Sequence, residues 1–222
     1  MDKKSFVVIG LGKFGLAVAR TLVDLKCECL AIDNTAENVA KAAEFMEHVV
    51  ICDTTHYSNL ADLGVAKYGH AILGMGDYFE ATLLTVMNLK DLGVNEITVR
   101  VSNKKFANII EKLGIHDIIT PEEDSGISIA NRIVNEDFIN YYPVAKGYGI
   151  VQINTPANFK PITVIELDSR NRFDVNIVAI IKANEEFSIP LAYDLIMPKC
   201  VLVVIGKTQK VARFNRFISE SK

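Results

Sequence analysis

Apolar residues along the chain fall into short blocks that switch between two spacings. Residues 5–9, 28–32, 48–51, 70–73, 96–101 and 116–120 are brief runs rich in Val, Ile and Leu, and read as strands. Between the first two runs, Phe14, Ala17, Val18, Thr21, Leu22 and Leu25 recur at three- and four-residue steps, which predicts a helix. Helices are also predicted over 36–45, with Thr35 as a cap, and over 57–63, 79–92 and 104–113; Gly64, Gly93 and Gly114 stop the last three. Six such strand–helix repeats, with nearly continuous apolar strands, predict an α/β domain built on a parallel sheet covered on both faces. Right-handed crossovers make that sheet doubly wound.

The pattern changes after Pro121. A helix over 124–138 carries Ile127, Ala130 and Val134 on one face and Ile129 and Ile133 on another. Two apolar faces fit either an ordinary buried helix or a connector at a subunit or domain interface. Tyr141-Tyr142-Pro143 through Lys146-Gly147 then breaks the periodicity, which places a domain boundary there and gives domains of 1–140 and 141–222. The tail predicts strands at 149–153, 175–182 (buried on both faces), 186–189 and 200–205. A closing helix over 208–218 turns Val211, Phe214 and Ile218 to one side. This is a small α+β domain, with Lys207, Lys210, Arg213 and Arg216 read as a solvated face.

Composition narrows the function classes. Of 222 residues, 50% are apolar and 23% charged, enough for a sizeable core and too apolar for a disordered chain. Lys and Arg total 24 against 27 Asp and Glu, a net charge of −3, which gives no support to a nucleic-acid binder. The run at 200–205 is among the longest apolar stretches, far below the roughly 20 residues of a membrane helix. The N-terminus lacks the apolar segment and cleavage site of a signal peptide, so a cytosolic protein is expected. Cys27, Cys29, Cys52 and Cys200 form no C-x-x-C pair and read as buried reduced thiols. His48, His56, His70 and His116 lack metal-ligand spacing.

The candidate chemistry sits where the strands end. Gly10-Leu11-Gly12-Lys13-Phe14-Gly15 matches G-x-G-x-x-G, follows a predicted strand and opens a predicted helix, and Asp33 ends the next strand. That context makes the string a dinucleotide-binding fingerprint. Gly10 permits the turn, Gly12 the approach of a pyrophosphate, and Gly15 the packing of helix on strand. The helix N-terminus offers N–H groups to phosphate. Asp33 suits ribose hydroxyls and repels a 2′-phosphate, so NADP is disfavoured. Asp53-Thr54 and Gly74-Met75-Gly76-Asp77 end strands three and four at the same edge, where they either touch the nucleotide or serve as caps and turns. Catalytic groups are harder to find. Tyr142-Pro143-Val144-Ala145-Lys146 fits Y-x-x-x-K, a pair that must stand one turn apart on a helix, and Pro143 and Gly147 oppose that helix.

The glycine string, Asp33, Cys52-Asp53-Thr54, Ile72-Leu73-Gly74-Met75-Gly76, Ile97-Thr98-Val99-Arg100 and Thr120-Pro121-Glu122 together resemble the RCK (regulator of potassium conductance) N-terminal domain. Asn176-Ile177-Val178-Ala179-Ile180 and the segment from Cys200 to Gly206 resemble the RCK C-terminal domain. The chain thus looks like a regulatory subunit of bacterial potassium uptake systems of the KtrA/TrkA type. The fold implied is a Rossmann-like doubly wound parallel sheet followed by a small α+β RCK C-terminal domain.

The resemblance implies no enzyme. It implies ATP or ADP, alternatively NAD or NADH, bound through Gly10, Gly12, Lys13, Phe14, Gly15, Asp33, Asn34, Asp53, Thr54, Gly74, Gly76 and Arg100. Glu122 would support Mg²⁺ or another divalent cation at the dimer interface. Arg170, Asn176 and Ile177 fall where some relatives bind cyclic di-AMP. A homodimer would assemble into an octameric ring beneath a membrane-embedded K⁺ channel or transporter subunit of the KtrB/TrkH type, on the inner face of the cell membrane. Two departures stand out. Lys13 replaces an Arg common in the family and lacks its planar fork, and Glu123 stands where some members carry Arg. A small NAD(H)-dependent oxidoreductase, or a free-standing nucleotide sensor, is the alternative.

Overall fold

A computed structural model describes residues 4–134 and 138–221. Backbone contacts gather the chain into two compact units, Met1–Pro121 and Glu122–Lys222.

The first unit contains strands β1 (Ser5–Ile9), β2 (Glu28–Asp33), β3 (Val49–Ile51), β4 (His70–Leu73), β5 (Glu96–Arg100) and β6 (Asp117–Ile119). They alternate with helices α1 (Lys13–Asp24), α2 (Ala36–Ala43), α3 (Tyr57–Asp62), α4 (Phe79–Asp91) and α5 (Lys104–Lys112). All six strands are parallel, in the order β3-β2-β1-β4-β5-β6. Strand order therefore reverses between β1 and β4, and the crevice outside their carboxyl ends is where such sheets bind ligands. Side chains alternate across the sheet as the strand period requires. Val7, Ile9, Leu30, Ile32 and Leu73 pack on one face with Leu60, Val86, Leu89, Phe106 and Ile110. Val8, Cys29, Ala31 and Ile72 pack on the other with Ala19 and Ala42. Each buried Val, Leu or Ile contributes about 1.5–3 kcal/mol, so burial on two faces explains strands whose central positions are nearly all apolar. The four cysteines are free thiols; Cys29 and Cys200 are buried as expected, whereas Cys27 and Cys52 are partly exposed. Burial pushes the Cys29 thiol up to about 11, which keeps it protonated and unreactive.

The second unit starts with helix α6 (Pro121–Val134). Residues 135–137, the end of the helix expected over 124–138, lie outside the described residues. No side chain of α6 is buried in the isolated chain: Ile127, Ile129, Ile133 and Val134 are all exposed. Strand β7 (Phe138–Ala145) follows where a periodicity break was expected, and pairs antiparallel with β8 (Tyr148–Asn154). The reason is positional. β7 is an edge strand, where Pro143 costs no ladder bond on the open side, and register shifts flank it. Tyr141 is buried, its hydroxyl 3.1 Å from that of Thr208.

Strands β10 (Val175–Ile181), β11 (Phe187–Ser188) and β13 (Val201–Lys207) complete a five-stranded sheet in the order β11-β10-β13-β8-β7. Strand β9 (Ile162–Thr163) pairs with β12 (Leu195–Ile196) apart from it. Helices α7 (Val164–Leu167) and α8 (Ser169–Phe173) went unread in the sequence. They are short, and residues with left-handed backbone, Asp168 and Asp174, follow them where a glycine would have signalled an end. The capping box of Thr163 and Glu166 was the legible signal. Helix α9 (Thr208–Glu220) closes the core with Val211, Phe214 and Ile218, as expected. β10 is not buried on both faces: Asn176 and Val178 are exposed while Val175, Ala179 and Ile180 are buried.

Candidate functional site

The candidate site is assembled at the carboxyl edge of the parallel sheet. β1 ends in a turn at Gly10, whose φ of +87° is left-handed backbone that favours glycine. A Cβ on Gly15 would lie 1.9 Å from the Gly10 carbonyl oxygen, so α1 can start against this turn only with glycine there. Gly12 differs. A Cβ there would meet nothing within 4 Å, which leaves the backbone open to an approaching group. Gly12 is also the N-cap of α1 and supplies no side-chain cap, so the first N–H groups of the helix and its positive end face that space. Lys13 is exposed in the first turn, while Phe14 is partly buried against the core under α1.

Asp33, 8% exposed, ends β2 beside this turn. Its carboxylate accepts hydrogen bonds from the Leu11 N–H (2.6 Å), the Thr35 N–H (2.8 Å) and the Asn38 amide (3.2 Å). The residue expected at the ribose thus also fastens the glycine turn to the second strand. Charge-assisted bonds of this kind are about twice as strong as neutral ones. Asn34 is exposed next to it, its carbonyl oxygen accepting from the Thr35 hydroxyl.

At the end of β3, Asp53 is exposed and Thr54 is buried. Asp53 accepts from the Thr55 hydroxyl (2.7 Å) and N–H (3.0 Å). These two bonds, the hydroxyl first, hold its carboxyl below the usual carboxylate range, with a smaller contribution from His56. The Thr54 hydroxyl lies 2.8 Å from that of Thr85 on α4, and the Asn88 amide donates to the carbonyls of Thr54 (3.1 Å) and Thr55 (2.9 Å). The corner is therefore stapled to α4.

Gly74 and Gly76 follow β4, the first against Gly10 and Gly15, the second against the backbone of Arg100. Arg100 is 9% exposed at the end of β5; its Nη1 donates to the Gly74 carbonyl (3.4 Å) and pairs with Asp77 at 3.1 Å. The structure thus brings Gly10, Gly12, Gly15, Asp33, Asp53, Gly74, Gly76 and Arg100 to one sheet edge. Asn38, Thr85 and Asn88 support it and carry no motif by which the sequence could have flagged them.

The remaining candidates lie elsewhere. Glu122 is exposed in the first turn of α6, in the second unit. Among the described residues no three His, Cys, Asp or Glu side chains gather as a metal site. One carboxylate fits a hard divalent cation only if phosphate oxygens and water complete its shell. In the second unit Arg170 Nε donates to Asn176 Oδ1 at 2.7 Å, and Ile177 is partly buried on the same strand as Asn176. Tyr142 lies on β7 and Lys146 in the turn after it, so the pair shares no helix.

Comparison with known proteins follows this division. The TrkA-N domain family matches residues 6–121 and the TrkA-C domain family residues 150–219. The chain belongs to the TrkA-N/TrkA-C family. Among TrkA-N/TrkA-C relatives, the Ktr system potassium uptake protein C of Bacillus subtilis is 34% identical over 220 residues, covering 99% of this chain and all of that one. The Ktr system potassium uptake protein A of the same organism is 31% identical, covering 97% of each. The crystal structure of the GsuK RCK domain superposes with a TM-score of 0.65 at 16% identity, over 99% of this chain and 48% of that one. At that identity the superposition speaks for the fold, and this chain spans about half of the matched structure's length.

Proposed function

We propose that the chain is the nucleotide-binding regulatory subunit of a potassium uptake system, acting on a separate membrane-embedded subunit of the KtrB/TrkH type. Full-length likeness to the Ktr system potassium uptake proteins carries this reading. Among the described residues no helix is long and apolar enough to cross a membrane, so the pore would belong to that other subunit. The chain itself would sit at the inner face of the cell membrane.

In this reading the chain makes and breaks no bond. Gly10, Gly12, Gly15 and the first turn of α1 receive the phosphates of ATP or ADP, with NAD and NADH the alternative. Asp33 and Asn34 receive the ribose, Asp53 the adenosine side, and Arg100 lines the site near Gly74 and Gly76. Two copies pair, and pairs close into an octameric ring. Lys13 and Glu122 grip the γ-phosphate and a divalent cation across the pair. A ligand shifts a two-state ring only by binding one state better, and the γ-phosphate is the group by which ATP and ADP differ. The contact of Arg170 with Asn176 supports a further proposal, that these two and Ile177 receive cyclic di-AMP.

The test is rubidium flux through vesicles holding the pore subunit and this chain. ATP and ADP should give different fluxes, and E122Q should reduce cation-dependent activation while ADP binding stays nearly intact. Flux indifferent to nucleotide identity would refute the reading.

A further inference from the structure

The charged face of α9 contains more than solvated side chains. Arg213 and Arg216, one turn apart on α9, and Arg172 on α8 line a single groove of about 560 Å³ with Phe173 and Phe217. Among the described residues none of the three guanidinium groups lies within ion-pair distance of a carboxylate, although Glu220 lines the same groove. The aromatic rings hold two of them in place. Arg172 lies 4.7 Å from the Phe217 ring centroid and 5.3 Å from that of Phe173, and Arg213 lies 5.9 Å from Phe173. Arg172 also donates to the Leu167 carbonyl at 3.2 Å. Three like charges facing one concavity repel one another unless an anion joins them. Stacked guanidiniums are pre-ordered forks that match the oxygens of a phosphoryl group.

Phe217 also lines a second, more apolar pocket of about 500 Å³ with Phe159, Pro161, Ile162 and Leu167. The two concavities therefore meet at one aromatic ring, the first rich in arginine and the second largely apolar, with Lys160, Glu166 and Ser221 also lining it. Both volumes are in the range of small-molecule sites. We infer that this surface of the second unit binds a phosphate ester with an apolar body, its phosphoryl group on Arg172, Arg213 and Arg216 and its body over Phe217. Arg170, turned to Asn176 on β10, is not part of it. The inference stands apart from the nucleotide site of the first unit.

Titration of the full chain with 1-naphthyl phosphate, read by calorimetry, tests it against inorganic phosphate. The ester should bind at least about tenfold more tightly than inorganic phosphate, and R213Q/R216Q should weaken it by about tenfold or more. R213K/R216K keeps the charge without the fork and should fall between the two. Equal affinity of the wild type and R213Q/R216Q would overturn the proposal, as would R213K/R216K binding as tightly as the wild type. Unchanged thermal unfolding of the variants excludes misfolding as the cause of any loss. A parallel arm with phosphatidylglycerol vesicles separates the sources. Arg-dependent vesicle binding assigns the ester to a lipid headgroup, and its absence assigns it to a soluble ligand.

Discussion

The two units treat their sheets differently. In the first, helices cover both faces, and the uncovered polar groups collect at one edge, around Gly12, Asp33, Asp53 and Arg100. In the second, the five-stranded sheet has one well-filled core, and much apolar surface stays uncovered. Val178 on β10 is exposed, as are Phe187, Ile189, Leu191 and Tyr193 in the segment after it. A sheet wrapped on both sides leaves room for a ligand only at strand ends, whereas one wrapped on one side keeps broad faces for partners. The difference teaches that the first unit gathers its open polar groups at one sheet edge, whereas the second presents open apolar surface.

The strongest attempt to break this comparison is Phe214→Ala. Phe214 is fully buried in the second core, its ring 5.3 Å from that of Phe173. Its truncation should cost the second unit about 3–5 kcal/mol. Thermal unfolding should show that loss while ADP binding survives; loss of ADP binding in parallel would join the units energetically. Asp33→Asn acts on the other side. It replaces a carboxylate that accepts three hydrogen bonds, should cost the glycine turn roughly 1.5–3 kcal/mol, and should weaken nucleotide binding while leaving the second unit's melting unchanged. Thr85→Val is subtler. It leaves the buried Thr54 hydroxyl without its partner on α4, for about 1–2 kcal/mol, with a smaller loss of nucleotide affinity.

The comparison also explains what was legible. Two-sided burial writes nearly continuous apolar runs, and glycines mark the turns after β1 and β4 and the ends of α3, α4 and α5, so the six-stranded repeat and the fingerprint could be read locally. One-sided burial writes a weaker code. β7 contains Pro143, and α7 and α8 are short and end in Asp168 and Asp174, whose left-handed backbone carries no glycine signal, so neither showed in periodicity. At the site, Gly10, Gly12, Gly15 and Asp33 carried a motif. Asn38, Thr85 and Asn88 act through neighbours distant in sequence and could be found only in three dimensions.

The smallest predicted effect is acidic. The Asp53 carboxyl is depressed, chiefly by the Thr55 hydroxyl. A depressed carboxyl stabilises the fold above its unfolded pKa, and that contribution disappears as pH falls through the folded value. In T55V the Asp53 pKa should rise towards the ordinary range, read by carbon NMR of the carboxyl. An unchanged value would remove the Thr55 hydroxyl from the account.

The central claim is that phosphate docks at the open N-terminus of α1. Gly12→Asp tests it most directly. A Cβ there has free space, the backbone is extended with φ −64°, and Asp is a favoured N-cap. The substitution should leave the fold as stable as before, or more stable by roughly a few tenths of a kcal/mol, while placing a carboxylate where the phosphates would lie. Calorimetric titration of the wild type and this variant with ADP should give saturable binding in the first and none in the second. Equal binding by a well-folded Gly12→Asp chain would contradict the account.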